Sequence, residues 1–400
     1  MVGRVLFVDR DRKLLGKLEQ ALRTARGDWS IVCAMSAADA CDQISQRPFD
    51  VVLADIDVRA ADGTSFLDEV ARRQPNAVRF LLSKSAGRGM LVRADDAAHQ
   101  FLAKPLEPDA VFARLAETLL LGELLSDPDL KALVTRLKSV PSLPPAYLAM
   151  MAELRKDQAS PRKVGDLVAR DAGMSAKILQ LVNSPLFGFR MRIGDPVQAV
   201  QLLGIEAVRG LALSSNIFSQ LDLKTVARFG LGRVWRHSMA TAGFARVIAR
   251  RQQEAADIVG EAFTAALLHD IGKLVLASSM PEDYSVVVEQ AASDHVPTWL
   301  VERDVLGTTH AEVGAYLLGL WGLPEPIVAG VAWHHRPSES AAPSYCPLGA
   351  VHAGNVIEHQ AHPADTVGVA STADDAYLDH FHMRAEFPAW TAACLDAAVA

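Results

Sequence analysis

Five short apolar runs, all within the first 103 residues, limit the folds open to this chain more than any other feature. Residues 5–8, 31–34, 51–54, 80–82 and 101–103 have the length and the branched or aromatic content of fully buried strands. Between them lie stretches with helical spacing, over 14–25, 37–45 and 65–73 and again after Pro108. Five such alternations predict an α/β, doubly wound parallel sheet, whose chemistry gathers at the carboxyl ends of the strands. From Asp129 onward the strand signal vanishes. Ser160-Pro161, Asn183-Ser-Pro185, Gly194-Asp-Pro196, Pro281 and Gly322-Leu-Pro324 instead punctuate apolar helical runs of about 10–20 residues, which predicts an all-α bundle.

Composition narrows the class. A length of 400 residues suggests two or three domains, and 50% hydrophobic residues can fill sizeable cores. The net charge of -7 argues against a dedicated nucleic-acid surface. Cys33, Cys41, Cys346 and Cys394 are scattered with no C-x-x-C pair, as expected of free thiols in a reducing cytoplasm. The chain opens directly on a strand pattern, and its most apolar window, 197–218, is interrupted by Glu206 and Arg209. A cytoplasmic protein with no membrane span is expected.

The polar residues at the predicted strand ends are Asp9, Asp55, Ser83 and Lys104. Two carboxylates, a hydroxyl and an ammonium at one sheet edge suit a Mg²⁺-assisted phosphoryl acceptor: one carboxylate attacks while the others hold oxygens and metal. With Gly63 eight residues after Asp55, and Lys104 followed by Pro105, this set resembles the receiver domain of bacterial two-component response regulators. The resemblance covers roughly residues 1–120. It implies Asp55 as the phosphorylated residue, Ser83 as switch hydroxyl, Phe101 as switch aromatic, bound Mg²⁺, and a sensor histidine kinase or phosphotransfer protein as partner. Two departures stand out. Receivers carry paired acids after the first strand, whereas Asp9 is followed by Arg10 and only then by Asp11; an Arg there competes with the cation. Lys84 stands where a small residue is usual beside the pocket.

Past Pro108, apolar spacing at Val111, Leu115, Leu119 and Leu124 describes an amphipathic helix that closes the first domain. Its surplus leucines at 119–121 suggest a second contact surface, either the next domain or a second subunit in a homodimer.

In the helical half, an apolar run ends in His269-Asp270, followed by Gly272-Lys273. Imidazole and carboxylate are the donors that divalent transition metals accept. His237 falls inside a helix of about 231–251. Thr309-His-Ala-Glu312 reads as a capping box that puts His310 on a first helical turn. A helix from Pro326 is expected to end at 333–335, delivering His334 and His335, and His352 and Asn355 lie one turn apart on the next. Convergence of such residues from separate helices is how bundles build metal sites. Helix-end histidines also suit the helix dipole alone, and Asp270 with Lys273 makes a simple i,i+3 pair.

These residues, with Glu312, Gly314, Trp321 and Pro324, stand in the order shown by the HD superfamily, and the chain resembles its HDOD branch over about 140–337. Residues 181–187 and 199–204 also resemble the first half of that domain. The resemblance implies His237, His269, Asp270, His310, His334 and His335, with Asn355 at the late position, as ligands of a divalent transition metal. Against the related HD-GYP phosphodiesterases, Arg233 and Asn355 replace expected acids, and Arg336-Pro-Ser-Glu-Ser replaces the signature after the His pair. Arg233, Arg236, Arg246, Arg250 and Arg251 cluster around His237, and Arg190 and Arg192 sit beside Phe187 and Phe189, as solvated faces or as phosphate-binding patches.

The expected organisation is a receiver over 1–120, a helical linker over 121–139, an HDOD domain over 140–337 and a helical extension over 338–400, with the pattern over 364–400 leaving its fold open. The favoured function is a response regulator whose receiver controls an HDOD output acting through other signalling proteins. The rival is a metal-dependent phosphohydrolase acting on a nucleotide or phosphodiester, in which Lys273 steadies the oxyanion. The substituted acids make a cyclic di-GMP phosphodiesterase an unexpected outcome.

Overall fold

The computed structural model describes residues 3–25, 29–60, 62–83, 98–124, 160–169, 193–205, 207–211, 228–341, 344–363 and 372–399, with isolated positions 175, 178, 179 and 225. Lys84, Arg190, Arg192, Glu206 and the stretches 125–159 and 181–187, on which parts of the sequence reading rest, lie outside the described residues.

The first unit is a five-stranded sheet of β1 (Arg4–Val8), β2 (Ser30–Ala34), β3 (Val51–Asp55), β4 (Val78–Ser83) and β5 (Gln100–Ala103). Every pairing is parallel and the order is β2-β1-β3-β4-β5. Helices α1 (Arg12–Ala25), α2 (Ala37–Gln46), α3 (Phe66–Arg73) and α4 (Pro108–Leu124) accompany the strands. Two cores result, one on each face of the sheet: Leu6, Val52, Phe66 and Leu67 belong to one, Phe7, Leu18, Leu53 and Phe80 to the other. Alternate residues of β1 and β3 thus face opposite cores, which is why both strands are continuously apolar, from Val5 to Val8 and from Val51 to Ala54. Ser65 caps α3 rather than opening it, its hydroxyl accepting from the Leu67 amide at 3.2 Å. The strand order reverses between β1 and β3, so Asp9 and Asp55 emerge at the switch point.

No strand occurs among the described residues of the second unit. Its helices are α5 (Pro161–Val168), α6 (Pro196–Leu203), α7 (Leu231–Arg251), α8 (Ala256–Leu268), α9 (Ile271–Ser279), α10 (Pro281–Asp294), α11 (Thr298–Leu306), α12 (His310–Leu320), α13 (Glu325–Ala332), α14 (Leu348–Ala361), α15 (Asp375–His380) and α16 (Phe387–Val399). Helix α7 packs on α8 and α14, and α8 also packs on α13. Every α14 residue from Leu348 to Glu358 is buried, the polar His352, Asn355 and Glu358 included. Gly354 lets α14 close on α7, since a Cβ there would lie 3.1 Å from the Thr241 carbonyl oxygen. Residues 372–399 supply α15 and α16, whose Tyr377 and Trp390 are buried against Tyr345.

Helix α13 stops at Ala332, earlier than its sequence pattern suggests, so His334 and His335 stand on a turn beyond it. Pro337 disfavours a helical Arg336, whose φ of -138° ends the turn just after the His pair. Among the clustered arginines, Arg246 points inward and is buried, whereas Arg233, Arg236, Arg250 and Arg251 are exposed, so they do not form one continuous face. Burial, with Arg250 nearby, lowers the Arg246 pKa to about 10.

Candidate functional site

At the carboxyl edge of the sheet, the Lys104 ammonium is paired with the Asp9 and Asp55 carboxylates together. Asp9 and Asp55 are buried, and Ser83 ends β4 beside them. Each acid keeps its second oxygen on the backbone two residues on: Asp9 Oδ1 accepts from Asp11 N and Asp55 Oδ1 from Asp57 N, both at 2.9 Å. Burial alone would lower the Lys104 pKa, but the hydrogen bonds to Asp55 and Asp9 outweigh it and raise the pKa. Arg10 and Asp11 point out to solvent. Asp11 caps α1 instead, its Oδ1 accepting from the amides of Lys13 at 3.0 Å and Leu14 at 3.1 Å. Phe101 lies on β5, but its side chain is outside the described residues.

The second constellation lies inside the helical unit. Helix α7 carries His237, the α8–α9 junction His269 and Asp270, the start of α12 His310, and the turn after α13 His334 and His335. The capping box forms as its spacing predicts: the Thr309 amide donates to Glu312 Oε2 at 2.9 Å, and the Glu312 amide to Thr309 Oγ1 at 3.3 Å. His237 Nε2 is 3.1 Å from His269 Nε2, and His335 Nε2 is 3.1 Å from His310 Nε2. Asp270 joins the two pairs. Its Oδ1 is 3.1 Å from His310 Nε2 and 3.6 Å from His269 Nε2, while Oδ2 is 3.8 Å from His237 Nε2. Donors bound tetrahedrally at about 2.1 Å from one ion would sit about 3.4 Å apart, so these separations are those of a ligand set.

The outer nitrogens fix the tautomers. His269 Nδ1 donates to the Ala266 carbonyl at 2.6 Å and His334 Nδ1 to the Val331 carbonyl at 2.7 Å, since a carbonyl can only accept. His310 Nδ1 donates to Glu302 at 2.6 Å, and His237 Nδ1 to Glu358. With Nδ1 protonated, a neutral ring presents the Nε2 lone pair inward, which is how a second shell orients metal-binding histidines. His334 Nε2 is buried with no hydrogen-bond partner among the described residues, the kind of orphaned acceptor that a cation satisfies. Two sets of donor atoms here, His237 with His269 and Asp270, and His310 with His334 and His335, each lie within 4.8 Å of one another.

Residues 5–116 match the response regulator receiver domain and residues 140–337 the HDOD domain. The chain is a receiver followed by an HDOD domain. An uncharacterized protein of Treponema pallidum (strain Nichols) is 26% identical over 205 residues, 51% of this chain, and the chain spans only 39% of that relative. A candidate phosphohydrolase from Shewanella amazonensis SB2B shares the helical fold at 22% identity and a TM-score of 0.50, covering 68% of this chain and 95% of its own. A CheY-like receiver domain protein from Methanospirillum hungatei JF-1 is 23% identical over 31% of this chain and 98% of its own, with a TM-score of 0.28.

Electrostatics in the HDOD cluster follow from burial. Desolvation lowers the His269 pKa to about 3, despite the opposing pull of Asp270, and it lowers His334 and His335 well below the usual histidine range. Burial alone would raise Asp270, but His269, Lys273 and His310 together hold it well below the ordinary carboxylate value. Lys273 Nζ lies 2.7 Å from Asp270 Oδ2. His310 differs from its neighbours: burial pushes it down, yet Glu302 wins and its pKa is raised.

Three participants escaped the sequence reading. Glu302 on α11 is fully buried and accepts from both the His310 amide, at 2.7 Å, and its ring. Glu358 and His359, near the end of α14, meet His237: Glu358 by hydrogen bond and His359 by ring stacking at 4.4 Å. Their sequence signal was a Glu and two His (Glu358, His359 and His362) at the end of an apolar helix. Asn355, one turn earlier, is buried on the same helix, and its side-chain oxygen has no hydrogen-bond partner among the described residues. No helix among the described residues is long and apolar enough to cross a membrane.

Proposed function

We propose that this protein is a cytoplasmic response regulator in which a sensor histidine kinase or phosphotransfer protein phosphorylates Asp55. Its HDOD domain then passes the signal on through contacts with other signalling proteins. The organisation is a receiver over 1–120, a linker over 121–139, an HDOD domain over 140–337 and a helical extension over 338–400. The observation that carries the first step is the Lys104 ammonium held against Asp9 and Asp55 together. An incoming phosphoryl group would take over the lysine's charge and meet the Ser83 hydroxyl, and Asp9 and Asp55 would hold Mg²⁺, which would supply the remaining neutralisation.

In the HDOD domain, His237, His269, Asp270, His310, His334 and His335 would hold a divalent transition metal, which would supply cross-linking charge between four helical segments. Near-complete burial of His269, Asp270, His310 and His334 supports a structural or regulatory ion over a catalytic one, since hydrolysis needs an open coordination position and water. The phosphohydrolase reading draws its support from Lys273, which lies beside Asp270 and keeps some exposure. Metal analysis decides first. Purified protein should hold about one transition ion per chain and lose it on His269→Ala with Asp270→Ala. Less than about 0.1 ion per chain after reconstitution would end the metal reading. Failure of Asp55 to take up phosphate from a small phosphodonor would end the receiver step.

A further inference from the structure

The turn that carries His334 and His335 is gripped at both ends by one residue outside the HDOD match, Asp374. On one side the Asp374 amide donates to His352 Nε2 at 2.9 Å, and His352 Nδ1 donates to the His334 carbonyl at 2.7 Å. A carbonyl accepts and an amide donates, so His352 is neutral and in a single tautomer. On the other side Asp374 Oδ2 accepts from the Ser338 hydroxyl at 2.6 Å and its amide at 3.2 Å. The remaining oxygen, Oδ1, caps α15 by accepting from Tyr377 N at 3.0 Å. Tyr377 in turn donates to the Tyr345 carbonyl at 3.1 Å, and Tyr345 packs on Trp390 of α16. His352 is fully buried and Asp374 half-buried.

We propose that Asp374 is a positioning residue for the histidine cluster, so that docking of residues 372–399 and metal occupancy are thermodynamically coupled. The inference rests on the metal reading of the previous subsection. Helix α13 ends at Ala332, so His334 and His335 are not held in place by helical structure of their own. His334 is oriented by its own bond to Val331 and by the Asp374–His352 link, and the bracket sets where the two Nε2 atoms fall. Removing such an outer partner costs tenfold or more in metal affinity, and by linkage the ion must tighten the segment by the same factor.

The test uses the full-length chain with Co²⁺ as the probe. Asp374→Ala, which removes the carboxylate contacts to Ser338 and Tyr377 and leaves the amide to His352 on a segment no longer tied down, should bind Co²⁺ at least about tenfold more weakly than wild type. Asp375→Ala, which alters the exposed neighbour paired with Arg384, should bind as wild type does. In wild type, Co²⁺ should slow hydrogen exchange at the 374–378 amides, which a merely structural contact would not do. Equal Co²⁺ affinity in wild type and Asp374→Ala overturns the proposal. Absence of Co²⁺ binding in wild type overturns both the metal reading and the coupling. In that case faster exchange at 334–338 in Asp374→Ala would still support the bracket, and unchanged exchange would overturn the bracket as well.

Discussion

Gly272 meets the backbone of His310 with no room for a side chain. A Cβ on Gly272 would lie 2.7 Å from the His310 carbonyl carbon and 2.9 Å from its Cα, closer still to its oxygen. The glycine that follows His269-Asp270 therefore has a packing reason: it lets the first turn of α9 meet the first turn of α12. That approach brings Asp270 Oδ1 within 3.1 Å of His310 Nε2.

Gly272→Ala should destabilise the helical unit by about 3 kcal/mol or more, because backbone atoms cannot yield as a flexible side chain can. Thermal unfolding of wild type and variant checks this, with a loss under about 0.5 kcal/mol contradicting the close approach. Metal affinity should fall with it, since His310 and Asp270 would be forced apart.

In the receiver, Arg10→Asp should tighten Mg²⁺ binding and speed labelling of Asp55 by a small phosphodonor. The side chain of Arg10 is exposed next to Asp9, and Asp11 is occupied with capping α1, so neither supplies the missing acid. Mg²⁺ titration and phosphodonor labelling of wild type, Arg10→Asp and Asp55→Ala decide it. Equal affinity and labelling in the first two would show that Arg10 is no brake.

Acid should destabilise the metal-free helical unit from about pH 6.5 downward. His269, His334, His335 and His352 all have folded pKa values below the usual 6.5 because burial penalises the charged ring. The unfolded chain then takes up protons first, so their contribution is complete above 6.5 and is lost as pH falls toward the folded values, about 3 for His269. His310, with a raised pKa, has the opposite sign: its contribution is complete below 6.5 and is lost as pH rises through its folded value. Four groups outweigh one. A melting temperature that stays constant from pH 7 to pH 4.5 in metal-free protein would refute the assignment of neutral buried rings.

Cyclic di-GMP should not be turned over above the background of a His269→Ala variant. The residue after the His pair, Arg336, is tied to Glu312 at 2.9 Å and Glu339 at 2.7 Å and lies over both Trp299 and Trp333. Turnover in a nucleotide chromatography assay would contradict this.

The sequence alone determined the α/β-then-α organisation, because strand and helix periodicities are local and each reflects which face is buried. It also determined the ends where chemistry collects: Asp9, Asp55, Ser83 and Lys104 follow from strand ends, and His310 from a capping box readable in four consecutive residues. Only the tertiary structure decided which distant groups complete the cluster. Glu302 carries no local signature, and the grouping of Glu358 with His359 does not say which ring they meet, since a buried carboxylate looks like any surface acid until the partner that stabilises it arrives from another helix. The grip of Asp374 on both ends of the His334–Ser338 turn is of the same kind. It joins residues up to 40 positions apart in sequence through hydrogen bonds whose geometry exists only after the bundle has closed.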